Sequence, residues 1–450
     1  MAVLARCLAA AAPLRRTEST NEGVGIDMKS WMAMVAGVAL VSLGGALSAQ
    51  DTPAPAAPPP QRQGPPPTPA LGDGPWDVQT ADANLHVEVF AKGLDHPWAL
   101  AFLPDGGMLV TERPGRLRVI RNGVLDPRPI EGLPTMITAG IAGLTDVVLD
   151  PDFATNRTIY LSYSKSHPDA GASPTPQANS ANAVMRARWD GGYRLSEVED
   201  IFVAEPWYGA PPVPARCCGQ GPAFGSYGGR MAIDKDGYLY VTSGDRNYGE
   251  LVQDPGNHIG KVIRINRDGS VPRDNPFVGR AGWKPEIWST GHRNPTGLTI
   301  DPATGTMWET EFGPRGGDEL NRIERGKNYG WPDVTQGYHY NAEPPKKGVR
   351  NVEGMTDAVW AFGPPSHNPG NVAVYRGAAF PGWDGNLLVA MMNRTLVRFE
   401  LAADGHVLAQ EAMLANLGQR LRDVRVAPDG SVYVLTDETA GAILRITPGA

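Results

Sequence analysis

Four segments carry the polar residues whose types and spacing could do chemistry. They read FGSYGGRMAIDKDG at 224–237, GHRNPTGL at 291–298, EFGPRGGDELN at 311–321 and QRLRDVRV at 419–426. Arg293 offers a planar guanidinium that can hold a carboxylate, and Asn294 adds an amide that both donates and accepts. This pair predicts a clamp for an anion, although a structural ion pair at a strand edge would explain Arg293 equally well.

The third of these segments has the composition of a cation site. The backbone carbonyls of Gly313 and Pro314 could turn outward, and Asp318 and Glu319 add two carboxylates. Calcium prefers such mixed shells of hard oxygen ligands. The alternative is a polar loop whose acidic pair is solvated.

The two remaining segments also carry arginines. Arg420 and Arg422 lie two residues apart, so on a strand they share one face. With Asp423 and Arg425 beside them, they predict either an anion site or a buried salt-bridge network. Arg230 opens a strand after a glycine-rich stretch that would allow a close backbone approach, but alone this signal is weak.

A recurring phrase predicts the elements that position these residues. It combines a Pro/Asp/Gly turn with short strands that alternate apolar and polar side chains, since proline presets φ and glycine accepts a positive φ. Six copies occur, at 103–120, 150–164, 234–245, 301–313, 381–401 and 427–446. They favour an all-β, six-bladed β-propeller with little helix and its largest insertion at 166–225. A β-sandwich is the structural alternative, but it does not explain six copies.

The N-terminal region predicts export. Residues 28–49 combine a basic start, an apolar stretch and small residues at the end, as a signal peptide does, and an uncleaved anchor is the alternative. We therefore expect Met28 to be the true start, with 1–27 an extra segment. The mature protein is expected to be periplasmic or secreted and to lack a membrane span. A Pro-rich linker at 50–75 should precede the propeller, which we place at 80–450.

The composition of the 450 residues excludes two classes of function. A formal net charge of -7 without a long basic run argues against nucleic acid as a partner. Of the three cysteines, Cys217 and Cys218 are adjacent and form either a strained disulfide or two free thiols. No C-x-x-C or Cys/His spacing occurs, so a zinc site is not expected.

Taken in order, these segments resemble the soluble quinoprotein glucose/sorbosone dehydrogenases, and within them the aldose sugar dehydrogenases. The resemblance spans roughly residues 85–448. Further matches are LDHPWALAFLPDG (94–106), TERPGRLRVI (111–120), LTDVVLDPDF (144–153), YGGRMAIDKDGYLYVTSGDR (227–246), GKVIRINRDGSVPRDNPF (260–277), KNYGWP (327–332) and RLRDVRVAPDGSVYVLTD (420–437). It implies a six-bladed propeller that holds pyrroloquinoline quinone (PQQ) near its axis and uses calcium. Such proteins oxidise the C1 hydroxyl of a sugar to the lactone and pass the electrons to an acceptor.

The resemblance also implies which residues bind the two cofactors. Arg293 and Asn294 are expected to contact the quinone. Its carboxylates are expected to be held by Arg420 and Arg422, with Thr436 nearby, and Arg230 is a further residue expected to bind the cofactor. Those expected to bind calcium, through two carbonyls and two carboxylates, are Gly313, Pro314, Asp318 and Glu319.

Three positions depart from the family pattern. Before the Gly-Gly-Arg strand start the family has a histidine base, but here Ser226 stands in its place, and serine is a poor base unless another group activates it. Ile141 replaces a glutamine on the cofactor side, and Asn393 sits near a position where some members have a cofactor-binding lysine. The histidines that could supply a relocated base, each of which could instead be structural, are His258, His292 and His367.

Three functions therefore stay open. The leading hypothesis is a PQQ-dependent dehydrogenase of a sugar or related alcohol, because the arginines and Asn294 are retained. The alternative is a binding or structural propeller without catalysis, which the loss of the histidine favours. A calcium-dependent lactonase would need an acidic metal cage at the axis, which the sequence does not assemble.

Overall fold

The structure is a computed structural model, and its described residues are 67–171, 179–207, 225–341 and 343–450. The expected signal peptide, the start at Met28, most of the Pro-rich linker and the pair Cys217 and Cys218 lie outside these residues. Within them, no helix is long and apolar enough to cross a membrane.

The described residues form 25 strands in six antiparallel sheets, here called blades 1 to 6. Blade 1 contains β3 (Pro97–Phe102), β4 (Met108–Glu112), β5 (Arg116–Arg121) and β6 (Val124–Leu125). Blade 2 contains β7 (Leu144–Leu149), β8 (Thr158–Ser166), β9 (Ser180–Arg188) and β10 (Ser196–Val203). Blade 3 contains β11 (Gly228–Ile233), β12 (Leu239–Ser243), β13 (Lys261–Ile265) and β14 (Ile287–Thr290).

Blade 4 contains β15 (Pro295–Ile300), β16 (Met307–Glu311), β17 (Asp318–Ile323) and β18 (Trp360–Phe362). Blade 5 contains β19 (Pro369–Val374), β20 (Leu387–Met391), β21 (Thr395–Leu401) and β22 (Val407–Met413). Blade 6 contains β23 (Leu421–Val426), β24 (Val432–Thr436), β25 (Gly441–Pro448), β2 (Asn84–Leu94) and β1 (Trp76–Gln79). The helical elements are one turn of α-helix, α1 (Phe153–Asn156), and the 3₁₀ turns Pro168–Ala170, Gly249–Leu251, Pro381–Trp383 and Ala415–Leu417.

The prediction of a six-bladed β-propeller with little helix is confirmed. Each of the six recurring phrases begins after the innermost strand of one blade and continues into the second strand, and three of them continue into the third. The turn at 234–238 shows the mechanism. Asp234 N–H donates to Tyr238 O at 3.0 Å, and Gly237 takes the positive φ of 84° that the turn requires.

The innermost strands β3, β7, β11, β15, β19 and β23 pack side by side and close into a ring. The ring closes because β2, from the N-terminal end of the described chain, pairs with β25 from its C-terminal end, with Val87 opposite Ile446. Hydrophobic clusters fill the wedge between each pair of neighbouring blades. The apolar core is therefore divided among six blade interfaces, and polar residues are left for the axis.

The pairing of every innermost strand with its neighbour contains a register shift near the start of the innermost strand. The shifts fall between Pro97 and Ala99, Leu144 and Val147, Gly228 and Met231, Pro295 and Gly297, Pro369 and Val372, and Leu421 and Asp423. Such bulges redirect side chains, and they recur beside functional sites. Here they lie at the end of each blade where the predicted site residues are found.

Candidate active site

One face of the propeller, here called the mouth, carries the starts of the innermost strands and the ends of the second strands. Antiparallel pairing places these at the same end of every blade. Backbone hydrogen bonds join them: Arg246 N–H donates to Ser226 O at 3.1 Å, and Asp437 N–H donates to Arg420 O at 2.8 Å. The mouth residues considered below are His96, Arg113, Ser226, Asp245, Arg293, Asn294, His367, Arg420, Arg422 and Asp437. The structure thus brings six of the residues predicted from sequence to one face.

Three guanidinium groups surround one carboxylate at the mouth. Arg422 and Arg420 place Nη2 at 2.6 and 3.6 Å from Asp437 Oδ2, and His96 Nδ1 lies 3.0 Å from the other oxygen. Burial lowers the pKa of Arg113 and Asp437 opposes this, while Arg422 and Arg420 lower it further. Burial opposes ionisation of Asp437, but its cationic neighbours outweigh burial and hold its pKa well below the ordinary range. The carboxylates that act on these three guanidiniums are Asp437 and Asp95, and Asp95 is also paired with Arg116 at 3.0 Å. The cluster therefore keeps an excess of positive charge that suits a carboxylated ligand.

Arg293 and Asn294 lie across the junction of blades 3 and 4. Arg293 Nη1 donates to Gly313 O at 2.8 Å, and its guanidinium carbon lies 5.4 Å from the centroid of the Trp331 ring. Asn294 Oδ1 accepts the Gly228 N–H at 3.3 Å. These contacts fix both side chains at the mouth. They also engage the Gly313 carbonyl that the sequence predicts as a calcium ligand.

Arg230 belongs to a network of charges on the propeller axis. Its Nη1 lies 3.4 Å from Asp146 Oδ1 and 3.2 Å from Asp423 Oδ1, and its guanidinium stacks 4.0 Å above the ring of Trp98. Arg425 pairs with the same two carboxylates at 3.0 and 2.9 Å. Arg230 and both aspartates are fully buried, and burial lowers the pKa of Arg230 to about 10. The prediction that Arg230 contacts a cofactor stays a prediction, while its contacts here are to two carboxylates.

Ser226 sits beside a buried aspartate. The Ser226 hydroxyl donates to Asn247 Oδ1 at 3.3 Å, and the Ser226 side chain favours the ionised form of Asp245 and so acts to lower its pKa. Asp245 further accepts from Trp331 Nε1 at 2.9 Å and from the Asn247 N–H at 2.8 Å. Burial raises the pKa of Asp245, against the opposing charge of Arg293.

A cluster of buried carboxylates lies next to the mouth in blade 4. The amide nitrogen of Asn321 is 3.0, 3.2 and 3.1 Å from an oxygen of Glu309, Glu311 and Glu319, and His292 Nδ1 is 3.6 Å from Glu311. Burial raises the pKa of Glu309 and Glu319 well above the ordinary value and that of Glu311 to about 7. Mutual repulsion adds to the shifts of Glu309 and Glu319. A cation placed among these oxygens would remove that repulsion.

The donors of this cluster fit calcium. Glu309, Glu311 and Glu319 supply hard oxygens, and Glu309 Oε1 is buried without a hydrogen-bond partner in the described part of the chain. A small cavity lined by Gly313, Glu311 and Glu319 adjoins it. Asp318 differs, because its carboxylate already accepts three backbone N–H groups between 2.5 and 2.8 Å.

Three other predicted positions are also placed. Thr436 is buried, and its Oγ1 accepts the Ala442 N–H at 2.9 Å, inside blade 6. Asn393 is exposed and accepts from the Thr395 hydroxyl at 2.8 Å. Ile141 is 39% exposed.

The three histidines have different surroundings. His258 has both ring nitrogens occupied, since Nδ1 accepts from Glu205 N–H at 3.0 Å and Nε2 faces Glu286 at 3.4 Å. His292 is fully buried, and burial lowers its pKa to about 3. His367 is half-buried at the mouth against the Phe362 ring, and burial lowers its pKa as well. None of the three histidines lies beside Asp245, where Ser226 stands.

The fold and the mouth define the class of protein: a six-bladed propeller whose axial opening carries an excess of arginine. The sequence model of the Glucose / Sorbosone dehydrogenase family matches residues 94–445, so the chain belongs to that family. It is 38% identical over 370 residues to the aldose sugar dehydrogenase YliI of Escherichia coli (strain K12), covering 82% of this chain and 94% of that protein.

Two solved structures support the same relationship. The apo form of the soluble aldose sugar dehydrogenase from Escherichia coli is 37% identical with a TM-score of 0.72, covering 81% of this chain and 100% of that one. The PQQ-bound aldose sugar dehydrogenase from Streptomyces coelicolor is 26% identical with a TM-score of 0.63, covering 81% and 98%. The family resemblance inferred from the motifs is therefore confirmed.

Sequence reasoning missed several residues of the site. Arg113 directly follows β4, and Asp245 lies two residues beyond the end of β12, so a charged residue just after a second strand was the available signal. Asp437 follows β24 in the same way. Glu309 and Glu311 alternate on one face of β16, which marks a shared environment.

Proposed function

We propose that the protein is an exported PQQ-dependent dehydrogenase that oxidises a sugar or related alcohol at C1 and passes the electrons to an acceptor. The observation that carries the proposal is the excess of guanidinium over carboxylate at the mouth. Membership of a dehydrogenase family that includes a PQQ-bound relative supports it.

The residues of the mouth fit the quinone. Arg422 keeps a buried Nε without a hydrogen-bond partner among the described residues, beside Arg420 and Arg113. A buried guanidinium nitrogen without an acceptor is costly, and a ligand carboxylate would satisfy it. Arg420 and Arg422 would hold the carboxylates of PQQ, and Arg293 with Asn294 would contact the ring system from the blade 3–4 side.

PQQ, when bound, supplies a two-electron oxidant that takes up the hydride from the sugar carbon. The protein supplies the positive electrostatic field of the mouth arginines and orients the quinone. Trp331 lies against Arg293 and helps to exclude water from it. Glu309, Glu311 and Glu319 would hold calcium next to the mouth, where the ion would fix the loop that carries Gly313.

Titration calorimetry of the mature protein with PQQ and calcium, followed by dye reduction with a panel of aldoses and alcohols, tests the proposal. Tight binding with turnover is expected. The control variant is Arg128→Ala, whose side chain is 66% exposed at a distance from the mouth. Absence of dye reduction by the quinone-loaded protein across the whole panel would count against the dehydrogenase.

A binding propeller without catalysis is the second candidate, and Ser226 is the observation that favours it. In that case PQQ binds with the same arginines and no alcohol in the panel is oxidised. Absence of PQQ binding would contradict both functions and assign the arginines to stability alone.

Export is part of the proposal and rests on residues 28–49. Cleavage before Gln50 would leave a mature chain that begins with the Pro-rich linker. Mass mapping of peptides from cell fractions tests this. Recovery of peptides from 1–27 in the cellular protein would contradict both the start at Met28 and the cleavage.

A further inference from the structure

The wedge between blades 3 and 4 differs from the other five in what fills it. Its hydrophobic cluster, built around Val262, Leu298 and Met307, is the smallest of the six that fill the blade interfaces. Glu309 and Glu311 follow Met307 on the same face of β16, so they continue into this wedge. Ionisable side chains are therefore buried between the two blades, and their burial requires compensating contacts.

His292 adds an imidazole to these carboxylates. It lies in the loop between β14 and β15, is fully buried and stacks on the ring of Tyr329 with the centroids 4.9 Å apart. Its Nε2 is 2.8 Å from Ser289 Oγ, and its Nδ1 has no hydrogen-bond partner within the part of the chain that the structure describes. Burial and the charge of Lys261 lower the pKa of His292 to about 3, so the imidazole is neutral. A neutral imidazole with one nitrogen free of hydrogen bonds is the form that binds metal ions.

The free nitrogen of His292 lies near carboxylate oxygens that also lack a partner. Glu311 Oε1 is 3.6 Å from Nδ1, which is too far for a hydrogen bond, and Glu309 Oε1 accepts no hydrogen bond from any described residue. One ligand atom from each of the three side chains lies within 4.8 Å of the other two. Ligands bonded to one ion at about 2.1 Å are about 3–4 Å apart, so a small shift brings all three into contact with it. A bound ion would explain three neighbouring buried groups with unpaired electron pairs.

The ligand atoms indicate the class of ion. Calcium binds through oxygen atoms, about six to eight of them, whereas manganese, iron and zinc also accept an imidazole together with carboxylates. The absence of C-x-x-C and Cys/His spacing argues only against zinc sites of those types. Here one ligand comes from a loop and two from alternate positions of a strand, so the set has no spacing that would mark it in the sequence.

Lys261 is a charged group that opposes a cation at this position. Its ammonium nitrogen is 2.7 and 2.5 Å from the carbonyl oxygens of Val252 and Ile259, and burial lowers its pKa to about 7. The carboxylates of blade 4 outnumber this single charge. They therefore leave the interior of the wedge favourable for a divalent ion.

We propose that His292, Glu309 and Glu311 bind a divalent transition-metal ion, such as Zn²⁺ or Mn²⁺, between blades 3 and 4. The site does not depend on the proposed dehydrogenase function, because it uses neither the quinone nor a sugar. Two of its carboxylates are those proposed above for calcium, so the two ions compete. The other oxygen of Glu311 accepts the backbone N–H groups of Arg293 and Asn294, so the bound ion also fixes the segment that carries these two residues.

Titration calorimetry of the chelator-treated full chain with Zn²⁺ and, separately, with Ca²⁺ tests the site. His292→Gln removes Nδ1 and keeps a polar atom for Ser289 Oγ. It should weaken Zn²⁺ binding by more than about 100-fold, because even changes outside the ligand shell cost about 10–100-fold. Calcium affinity should change by less than about threefold, since calcium does not use the imidazole. Equal Zn²⁺ affinity in His292→Gln and the wild type overturns the proposal and leaves the calcium site intact.

Two further variants complete the comparison. Glu319→Gln should give the reverse pattern and weaken calcium binding much more than Zn²⁺ binding. The matched control is His258→Gln, which replaces a buried histidine whose two ring nitrogens are already occupied. It should change neither affinity. Loss of Zn²⁺ binding in His258→Gln instead of His292→Gln would assign the ion to a different site and overturn the proposal.

X-ray absorption of the wild type with one equivalent of bound zinc identifies the ligands without any variant, and so covers the case in which His292→Gln does not fold. The spectrum should show one imidazole with oxygen ligands and no sulfur. Sulfur ligands would place the ion on cysteine thiols, and oxygen ligands alone would exclude His292. Either spectrum, or the absence of zinc binding, overturns the proposal.

Discussion

Replacing Arg230 by methionine should destabilise the propeller strongly. The guanidinium of Arg230 lies between Asp146 and Asp423 on the axis, and all three side chains are completely buried. Methionine keeps most of the volume against Trp98 and removes only the charge and its hydrogen bonds. Arg425 then faces two buried carboxylates alone.

The expected loss of folding stability follows from the burial of the two carboxylates that pair with Arg230. Removing one partner of a buried ion pair costs about 3–5 kcal/mol, because the remaining charge is left uncompensated. Arg425 still compensates part of that charge, so the lower end, about 3 kcal/mol, is expected. For a domain larger than 150 residues this corresponds to a fall in Tm of about 6 °C.

Thermal unfolding followed by circular dichroism measures the effect. The control is Arg194→Met, whose ion pair with Glu131 is exposed by 74% and 71% and should contribute at most about 1 kcal/mol. The double variant Arg230→Met/Asp423→Leu restores the charge balance and should recover part of the loss. A single variant as stable as the control, with weakened PQQ binding, would refute this reasoning and support the sequence-based prediction that Arg230 contacts the cofactor.

Further predictions concern the mouth and the loop beside it. Arg422→Ala should weaken PQQ binding by about tenfold or more in calorimetry, because a charge-assisted hydrogen bond contributes about 1.5–3 kcal/mol. In chelator-treated protein, the stability that comes from the protonated carboxylate cluster should be present below the ordinary carboxyl pKa of 4.5 and be lost as the pH rises through about 7. Added calcium should therefore raise Tm most above pH 7. Glu319→Gln should abolish that gain, whereas Asp318→Asn should lower Tm equally with and without calcium. Gly143→Ala should cost about 3 kcal/mol or more in denaturant unfolding, because its Cβ would lie 1.8 Å from a backbone carbonyl oxygen. Gly305→Ala, which has open space around it, should cost about 1–2 kcal/mol through its positive φ alone.

The sequence predicts the fold because the signal for each blade lies within a short stretch of the chain. Each Pro/Asp/Gly turn sits inside one hairpin, so six copies indicate six blades without any knowledge of how the blades meet. Local signals also identify four residues of the candidate site, which are unusual polar residues at the starts of innermost strands: Arg293, Asn294, Arg420 and Arg422.

The partners of these residues could not be found locally. Asp245 comes to Ser226 from the next strand of the same blade and to Trp331 from the next blade, a separation of 86 residues between hydrogen-bonded side chains. Arg113 belongs to blade 1, and the carboxylate it shares with Arg420 and Arg422 belongs to blade 6. Such contacts depend on how strands and blades meet in space, and the contact between blades 1 and 6 depends on closure of the ring, which no spacing in the sequence encodes.

The pairing of β2 with β25 has a consequence for how the chain acquires its structure. Synthesis proceeds from the N-terminus, so β2 exists long before β25, and more than 300 residues must follow before its partner is complete. Until then β2 presents an unpaired edge with apolar residues such as Leu85 and Val87, and edges of this kind promote aggregation. Closing a ring through so distant a pairing is slow, because most of the chain must already be ordered. A chain whose synthesis terminates before β25 should therefore form an open, aggregation-prone intermediate rather than a smaller propeller.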